Sequence, residues 1–215
     1  LYLFVALETS REVAVIDPAR NRELFRFPVG RSPNALAIAP NGRTLYVHNF
    51  MDRSVSVIDL TQLLNRGQKS VTTVATVRTI AKEQLDEIVF RGKQLFYDAA
   101  DPRLSRDKYM SCAVCHDDGE DDGRTWDFTG FGEGLRNTAT LKGKGGMMHG
   151  FLHWSANFDE VHDFEGQIRN FAGGTGLMDS GTFFAGTRSK PLGDRKAGFS
   201  PDLDALAAYV SSLTR

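Results

Sequence analysis

The segment Cys112-Ala113-Val114-Cys115-His116 constrains this chain more than any other feature. The chain has 215 residues and only two cysteines, so no disulfide framework can organise it. Two thiols three positions apart can add to the two vinyl groups of one haem, and the next residue then places an imidazole nitrogen on the iron. A thioredoxin-like CxxC would follow a strand in a βαβ pattern, and none is visible before Cys112. A zinc site would need two further ligands at thiol or imidazole spacing. The motif therefore reads as covalent haem c, held by Cys112 and Cys115, with His116 as the proximal iron ligand. Such haem is assembled outside the cytoplasmic membrane, so the periplasm or cell surface is the expected location.

A bound haem also answers a folding problem. Residues 111–199 are rich in glycine and show little periodicity. So long an irregular stretch needs an organiser inside a compact domain. Two helical patterns bracket it. The first starts near Lys82 and sets Leu85, Ile88, Val89, Leu95 and Phe96 on one face. Gly92 shares that face, where it lets another helix approach closely. The second helix has Ser200 as N-cap, Pro201 at the first helical position, and Asp202 and Asp204 at the positive helix end. Its apolar stripe is Leu203, Leu206, Val210 and Leu213.

Residues 1–60 read differently. Leu3-Phe4-Val5 recurs as Leu45-Tyr46-Val47, and Val13-Ala14-Val15-Ile16-Asp17 as Val55-Ser56-Val57-Ile58-Asp59, a period of 42 from Leu3 to Leu45. Strands are expected at 23–29, 34–39, 43–48 and 54–60, with a tight turn at Asn41-Gly42. The run Pro40-Asn41-Gly42-Arg43-Thr44-Leu45-Tyr46-Val47 resembles the YVTN-type β-propeller repeats. That resemblance implies about one and a half blades, too few to close a ring of about four to eight. Further blades are thus expected before residue 1, or from another chain. Residues 61–81 read as a polar linker with one β-like patch, Val71 to Val77.

Charge narrows the partners. Lys plus Arg number 26 and Asp plus Glu 27, which gives no reason to expect nucleic acid or an anionic membrane. No apolar run approaches the roughly 20 residues of a transmembrane helix. The opening LYLFVALETS lacks a basic leader and a small-residue cleavage site, and reads as a strand rather than a signal peptide.

The haem motif has a wider context. Gly92-Lys93-Gln94-Leu95-Phe96 before it and the helix 202–213 after it resemble the packed terminal helices of a cytochrome c domain. Ser111 to His116, Arg136-Asn137-Thr138 and Trp154 resemble the di-haem cytochrome c peroxidase and MauG-like family, over roughly residues 82–213. The resemblance implies a multidomain fold class: all-β propeller blades over 1–60, then an α-helical cytochrome c domain over 82–215. It also implies a second haem domain or subunit, expected after Arg215, because this chain has a single CxxCH.

Two departures bear on activity. The family's Arg-Asn-Thr-Pro run is Arg136-Asn137-Thr138-Ala139 here. Its Gly-His-Gly ligand segment is Gly130-Phe131-Gly132, and phenylalanine cannot bind iron. Met178 is the first candidate for the distal position, on its place before the final helix. His153 is the second, and Met147, Met148 and His149 follow. Arg136 and Asn137 are candidate haem contacts, and Trp154 and Trp126 candidate neighbours of the haem edge. Glu165, His162 and Gln167 are the acid-base candidates for peroxide chemistry. The acidic run Asp117 to Asp122 is a candidate calcium loop, or a steering surface for a basic redox partner protein.

Electron transfer is the first functional expectation. A peroxidase-type oxidoreductase with an open distal site is the second. A propeller-based binding protein with an accessory haem is the third.

Overall fold

The computed structural model describes residues 1–143 and 150–214. The chain divides into two units, Leu1–Gln84 and Leu85–Arg215.

The first unit is antiparallel β. Strands β1 (Leu3–Leu7), β2 (Glu12–Asp17) and β3 (Arg22–Pro28) form a three-stranded meander. Strands β4 (Pro33–Ile38), β5 (Thr44–Asn49), β6 (Ser54–Asp59) and β7 (Thr72–Arg78) form a four-stranded one. Alternation selects the inward face, as a period of two requires. Val13 and Val15 of β2, Leu45 and Val47 of β5, and Ile58 of β6 build one core with Phe27, Leu60 and Leu63. Between β4 and β5, Asn41 Oδ1 accepts from the Arg43 and Thr44 amides (2.8 and 3.2 Å), and Gly42 takes φ 67°.

The internal repeat is real as local structure, since it superposes β1 on β5 and β2 on β6. The expected propeller is not. The three-stranded and four-stranded sheets close no ring. A strand-turn-strand period specifies hairpins, and hairpins alone do not specify radial closure. Nor are residues 61–81 a plain connector. They contain helix α1 (Thr61–Arg66), stopped by the left-handed Gly67, and β7, which pairs along β6.

The second unit contains α2 (Glu87–Phe96), α3 (Cys112–Cys115), the hairpin β8 (Thr125–Phe128) and β9 (Gly134–Asn137), α4 (Phe164–Asn170), α5 (Ser180–Phe183) and α6 (Pro201–Ser212). It is not the α-helical cytochrome domain expected from the resemblance. Among the described residues only α2 and α6 exceed two turns, and the rest is largely irregular. Backbone chemistry explains this. Glycines 119, 123, 132, 134, 143, 150, 173, 176, 186 and 198 all have positive φ, as do Asp118, His153, Ala156 and Leu192. A helix cannot run through such positions.

Helices α2 and α6 form the scaffold of this unit. Helix α2 begins later than its apolar pattern, at Glu87, where the Asp86 carboxylate caps the Ile88 amide at 3.1 Å. Leu85 and Ile88 stay exposed, while Gly92, Leu95 and Phe96 are buried. Helix α6 starts at its expected cap. Ser200 Oγ accepts from Leu203 N (3.3 Å) and donates to Leu177 O (2.8 Å). It buries Leu203, Ala205, Leu206, Ala207 and Tyr209, and Phe96 meets Tyr209 edge-on at 5.1 Å.

An ion-pair network ties the α6 N-terminus down. Arg91 binds Asp202 bidentately (2.8 Å twice), and Arg103 Nη1 reaches the same carboxylate at 2.8 Å. Arg91, then Arg103, holds the Asp202 carboxyl below its ordinary range. The folded value thus lies below the unfolded one. Stability from this group is complete above the unfolded value of about 3.9 and is lost as pH falls through the folded one. Asp202→Asn is expected to cost about 1 kcal/mol at pH 7 and to flatten the acid-side stability loss below about pH 4. Acid titration followed by circular dichroism checks both.

Candidate haem site

The CxxCH motif forms a single turn. Cys112 and Cys115 are the ends of α3, and the His116 amide donates back to Cys112 O at 2.9 Å. Ser111 precedes the turn as its cap residue, yet its side chain makes no capping bond. Burial pushes the Cys112 thiol up to about 12 and the Cys115 thiol up to about 11. Thiols that stay protonated at neutral pH are poor nucleophiles and poor metal ligands. The spacing of the two thiols in one turn is the one that serves addition to the two vinyl groups of a haem.

His116 is partly buried, and burial lowers its pKa below the ordinary histidine value. It is a neutral imidazole at pH 7, the form that ligates metals. Its Nδ1 is buried without a hydrogen-bond partner, and so is Ser111 Oγ. Buried polar atoms in native proteins rarely lack partners. Two such atoms in one turn, beside two protonated thiols, fit a site built around a prosthetic group.

The residues after His116 are firmly held. Gly119 N donates to His116 O (2.9 Å) and Glu120 N to Asp117 O (2.9 Å). Gly119 O accepts from Leu141 N at 2.8 Å, and Glu120 pairs with Lys142 at 2.8 Å. Asp121 and Asp122 accept from the Gly123 and Arg124 amides. Among the described residues, no group of three or more His, Cys, Asp or Glu side chains is arranged to hold a metal ion.

The structure gathers several of the expected site residues into one cluster on the β8–β9 hairpin. Trp126 Nε1 donates to Asp122 Oδ2 (2.9 Å), linking the hairpin to the stretch after His116. Arg136 pairs with Trp126 across the hairpin. Arg136 Nη1 donates to Leu135 O (2.9 Å), while its Nε faces Glu133 Oε2 at 3.5 Å. Asn137 Nδ2 donates to Thr125 Oγ1 (3.2 Å), and Asn137 O accepts from Trp154 Nε1 (2.8 Å). The Trp154 side chain is 65% exposed, so most of it does not fill the core. His153 Nδ1 lies 2.9 Å from Asn157 Oδ1, and its ring packs on Phe158 at 4.1 Å.

Met178 lies elsewhere, at the N-terminal end of α6. It is 4% exposed, and its neighbour Leu177 binds the helix cap Ser200. The loop after His116 packs at the other end. Gly119 faces Leu213, and Gly143 N donates to Leu213 O. Helix α6 spans about 18 Å between these ends. Met147, Met148 and His149 fall outside the described residues.

Residues 87–170 match the family model described as di-haem cytochrome c peroxidase. The match covers less than half of the chain but includes all of CxxCH, Arg136-Asn137 and Trp154. It supports haem c as cofactor and a haem-type oxidoreductase or electron-transfer role in general terms. It does not extend to residues 1–60, and nothing supports propeller-type repeats there. No curated protein matches the chain.

Two of the acid-base candidates are occupied. Glu165 is fully buried and bonds Arg169 and the Leu177 and Met178 amides. His162 Nε2 pairs with Asp204 at 2.8 Å and its Nδ1 faces Glu160 at 3.6 Å. The Glu165–Arg169 pair has a local i,i+4 spacing, but no local signal announces the Leu177 and Met178 amides, which lie 12 and 13 residues away.

Proposed function

We propose that the 85–215 unit is a c-type haem domain whose task is one-electron transfer. Cys112 and Cys115 would hold the haem through thioethers, and His116 would be its proximal ligand. The bound group supplies reversible iron redox chemistry at a potential set by its ligands and surroundings. The observation that carries the reading is the CxxCH turn itself, in which His116 Nδ1 is buried without a hydrogen-bond partner next to Cys112 and Cys115.

The rest of the cluster supports specific roles. Arg136 offers a guanidinium for a haem propionate. Asn137 fixes the exposed Trp154 beside the hairpin. Met178 is the distal ligand in this reading, with His153 as the alternative. Met178 keeps this place on its position before α6, although it lies at the other end of that helix from the loop after His116, and His153 is engaged by Asn157 and Phe158. The carboxylates directly after His116 suit a basic redox partner protein or a second haem domain. Assembly of covalent haem places the protein in the periplasm or at the cell surface. Among the described residues, no helix is long and apolar enough to cross a membrane.

Peroxidase-type chemistry is a second reading, and the family description favours it. It needs an acid-base group at the iron. Glu165 and His162 are committed to other partners, which weighs toward electron transfer.

The test is expression of the full chain in a host that matures c-type cytochromes. Haem staining after denaturing electrophoresis should mark the wild-type chain and not the Cys112→Ala/Cys115→Ala variant. A wild-type chain without covalent haem overturns the reading. Peroxide should leave the optical spectrum unchanged, and a peroxide-dependent spectral change would transfer the assignment to the peroxidase.

A further inference from the structure

The residue that follows α2, Tyr97, is 4% exposed, yet its hydroxyl reaches the two residues that follow His116. The phenol oxygen accepts from the Asp118 amide at 2.9 Å. Its single proton lies between Asp117 Oδ1 and Asp118 Oδ1, each 3.1 Å away. Asp118 sits at φ 50°, a left-handed conformation uncommon for a residue with a side chain. Something must hold it there, and the three contacts of one hydroxyl do so.

The phenol is itself well anchored. Its ring packs on Phe96 at 5.8 Å, with Lys93 Nζ 6.0 Å from the ring centroid. Phe96 packs in turn on Tyr209 of α6. Burial pushes the phenol's pKa well above its ordinary value, so the proton stays in place. The helical scaffold thus meets the His116 turn through a group that is rigid, neutral and a hydrogen-bond donor.

We propose that Tyr97 is a positioning residue for His116. Its hydroxyl fixes the Asp117–Asp118 turn and donates to the carboxylates of the two residues that follow His116 in the chain. The proposal rests on the haem reading above. With a haem bound, a carboxylate on the turn that carries the proximal ligand would favour the ferric state by simple attraction. The hydroxyl's proton offsets part of that attraction, so Tyr97 holds the reduction potential up as well as the turn in place.

The experiment compares the wild-type holoprotein with Tyr97→Phe. The ring packing survives this change, and haem attachment should persist because both cysteines remain. The ferric high-spin fraction should rise as His116 loosens. The one-electron reduction equilibrium should fall roughly tenfold, equivalent to about 59 mV. Wild-type potential and spin state in Tyr97→Phe would overturn the proposal, even if the melting temperature dropped, because the hydroxyl would then serve the core alone. Should Tyr97→Phe not fold, Asp118→Asn is read instead. It removes one charge while keeping an acceptor, and must raise the potential; an unchanged value overturns the proposal. Absence of covalent haem in the wild type is seen before any variant is made. That result overturns the haem reading itself, and this proposal with it.

Discussion

Replacing Gly92 by alanine is expected to destabilise the 85–215 unit by about 3 kcal/mol and lower its melting temperature by roughly 10 °C. A Cβ at this position would stand 2.6 Å from the Ala205 carbonyl carbon, closer still to its oxygen, and 2.8 Å from Tyr209 Cβ. Two of these atoms are backbone, so no rotamer change relieves the clash. The helices must part, and the contact between Phe96 and Tyr209 opens with them. Alanine gains about 1 kcal/mol of helix propensity, which the overlap exceeds. Gly166 in α4 provides the contrast. Its Cβ would meet nothing within 4 Å, so Gly166→Ala should be neutral or stabilise by up to about 1 kcal/mol. Thermal melts followed by far-ultraviolet circular dichroism decide both. Equal effects at the two glycines would show that close helix approach is not what fixes Gly92.

Gly92 also shows what the sequence makes legible. A glycine on the apolar face of a helical pattern has few physical explanations, and the close crossing of α2 and α6 is one of them. The α6 cap is legible for the same reason, since Ser200-Pro201 followed by Asp202 and Asp204 satisfies helix-start chemistry locally. The CxxCH turn is legible because thioether spacing is covalent geometry. The unit's architecture is not. Its irregular path depends on left-handed residues such as Asp118, His153 and Ala156, which no periodicity announces. The β-repeat misleads in the opposite way. It correctly marks β1 with β5 and β2 with β6, but closure of sheets into a ring is a long-range property that a 42-residue period leaves open. Within the site, Trp126, Arg136 and Asn137 are close in sequence and sit on one hairpin, which Trp154 meets from 17 residues further on. Tyr97 acts on residues 20 and 21 positions away, and Glu165 holds amides 12 and 13 positions away besides its i,i+4 partner Arg169, long-range contacts that no local pattern marks.

Glu165 carries the second large effect. Glu165→Ala is expected to cost about 3–5 kcal/mol, because it removes one partner of a mostly buried ion pair. Glu165 Oε1 accepts from Arg169 Nε (2.8 Å) and Met178 N (3.1 Å), and Oε2 from Leu177 N (2.9 Å). Arg169 completes the clamp by donating to Met178 O at 2.7 Å and Ser180 Oγ at 3.1 Å, while its guanidinium lies 4.5 Å from the Phe183 ring centroid. The backbone from Gly176 to Met178 lies directly on this pair. Gly176 has φ 95°, and a Cβ there would collide with both Arg169 Nη2 and Glu165 Oε1. Alanine at 165 leaves a guanidinium uncompensated and two amides without acceptors, each costing about 1–3 kcal/mol where water does not reach. Glu165→Leu/Arg169→Met removes both charges together. It should recover part of the loss, since an apolar pair of similar volume is often close to neutral, although the two amides stay unpaired. If the double variant is no more stable than Glu165→Ala, the cost lies in the Leu177 and Met178 amides rather than in the charge. The same variants bear on the iron. With Met178 as distal ligand, Glu165→Ala should also abolish the far-red absorption of methionine-ligated ferric haem. A band that survives while stability falls would assign the sixth position to another residue, and the clamp to folding alone.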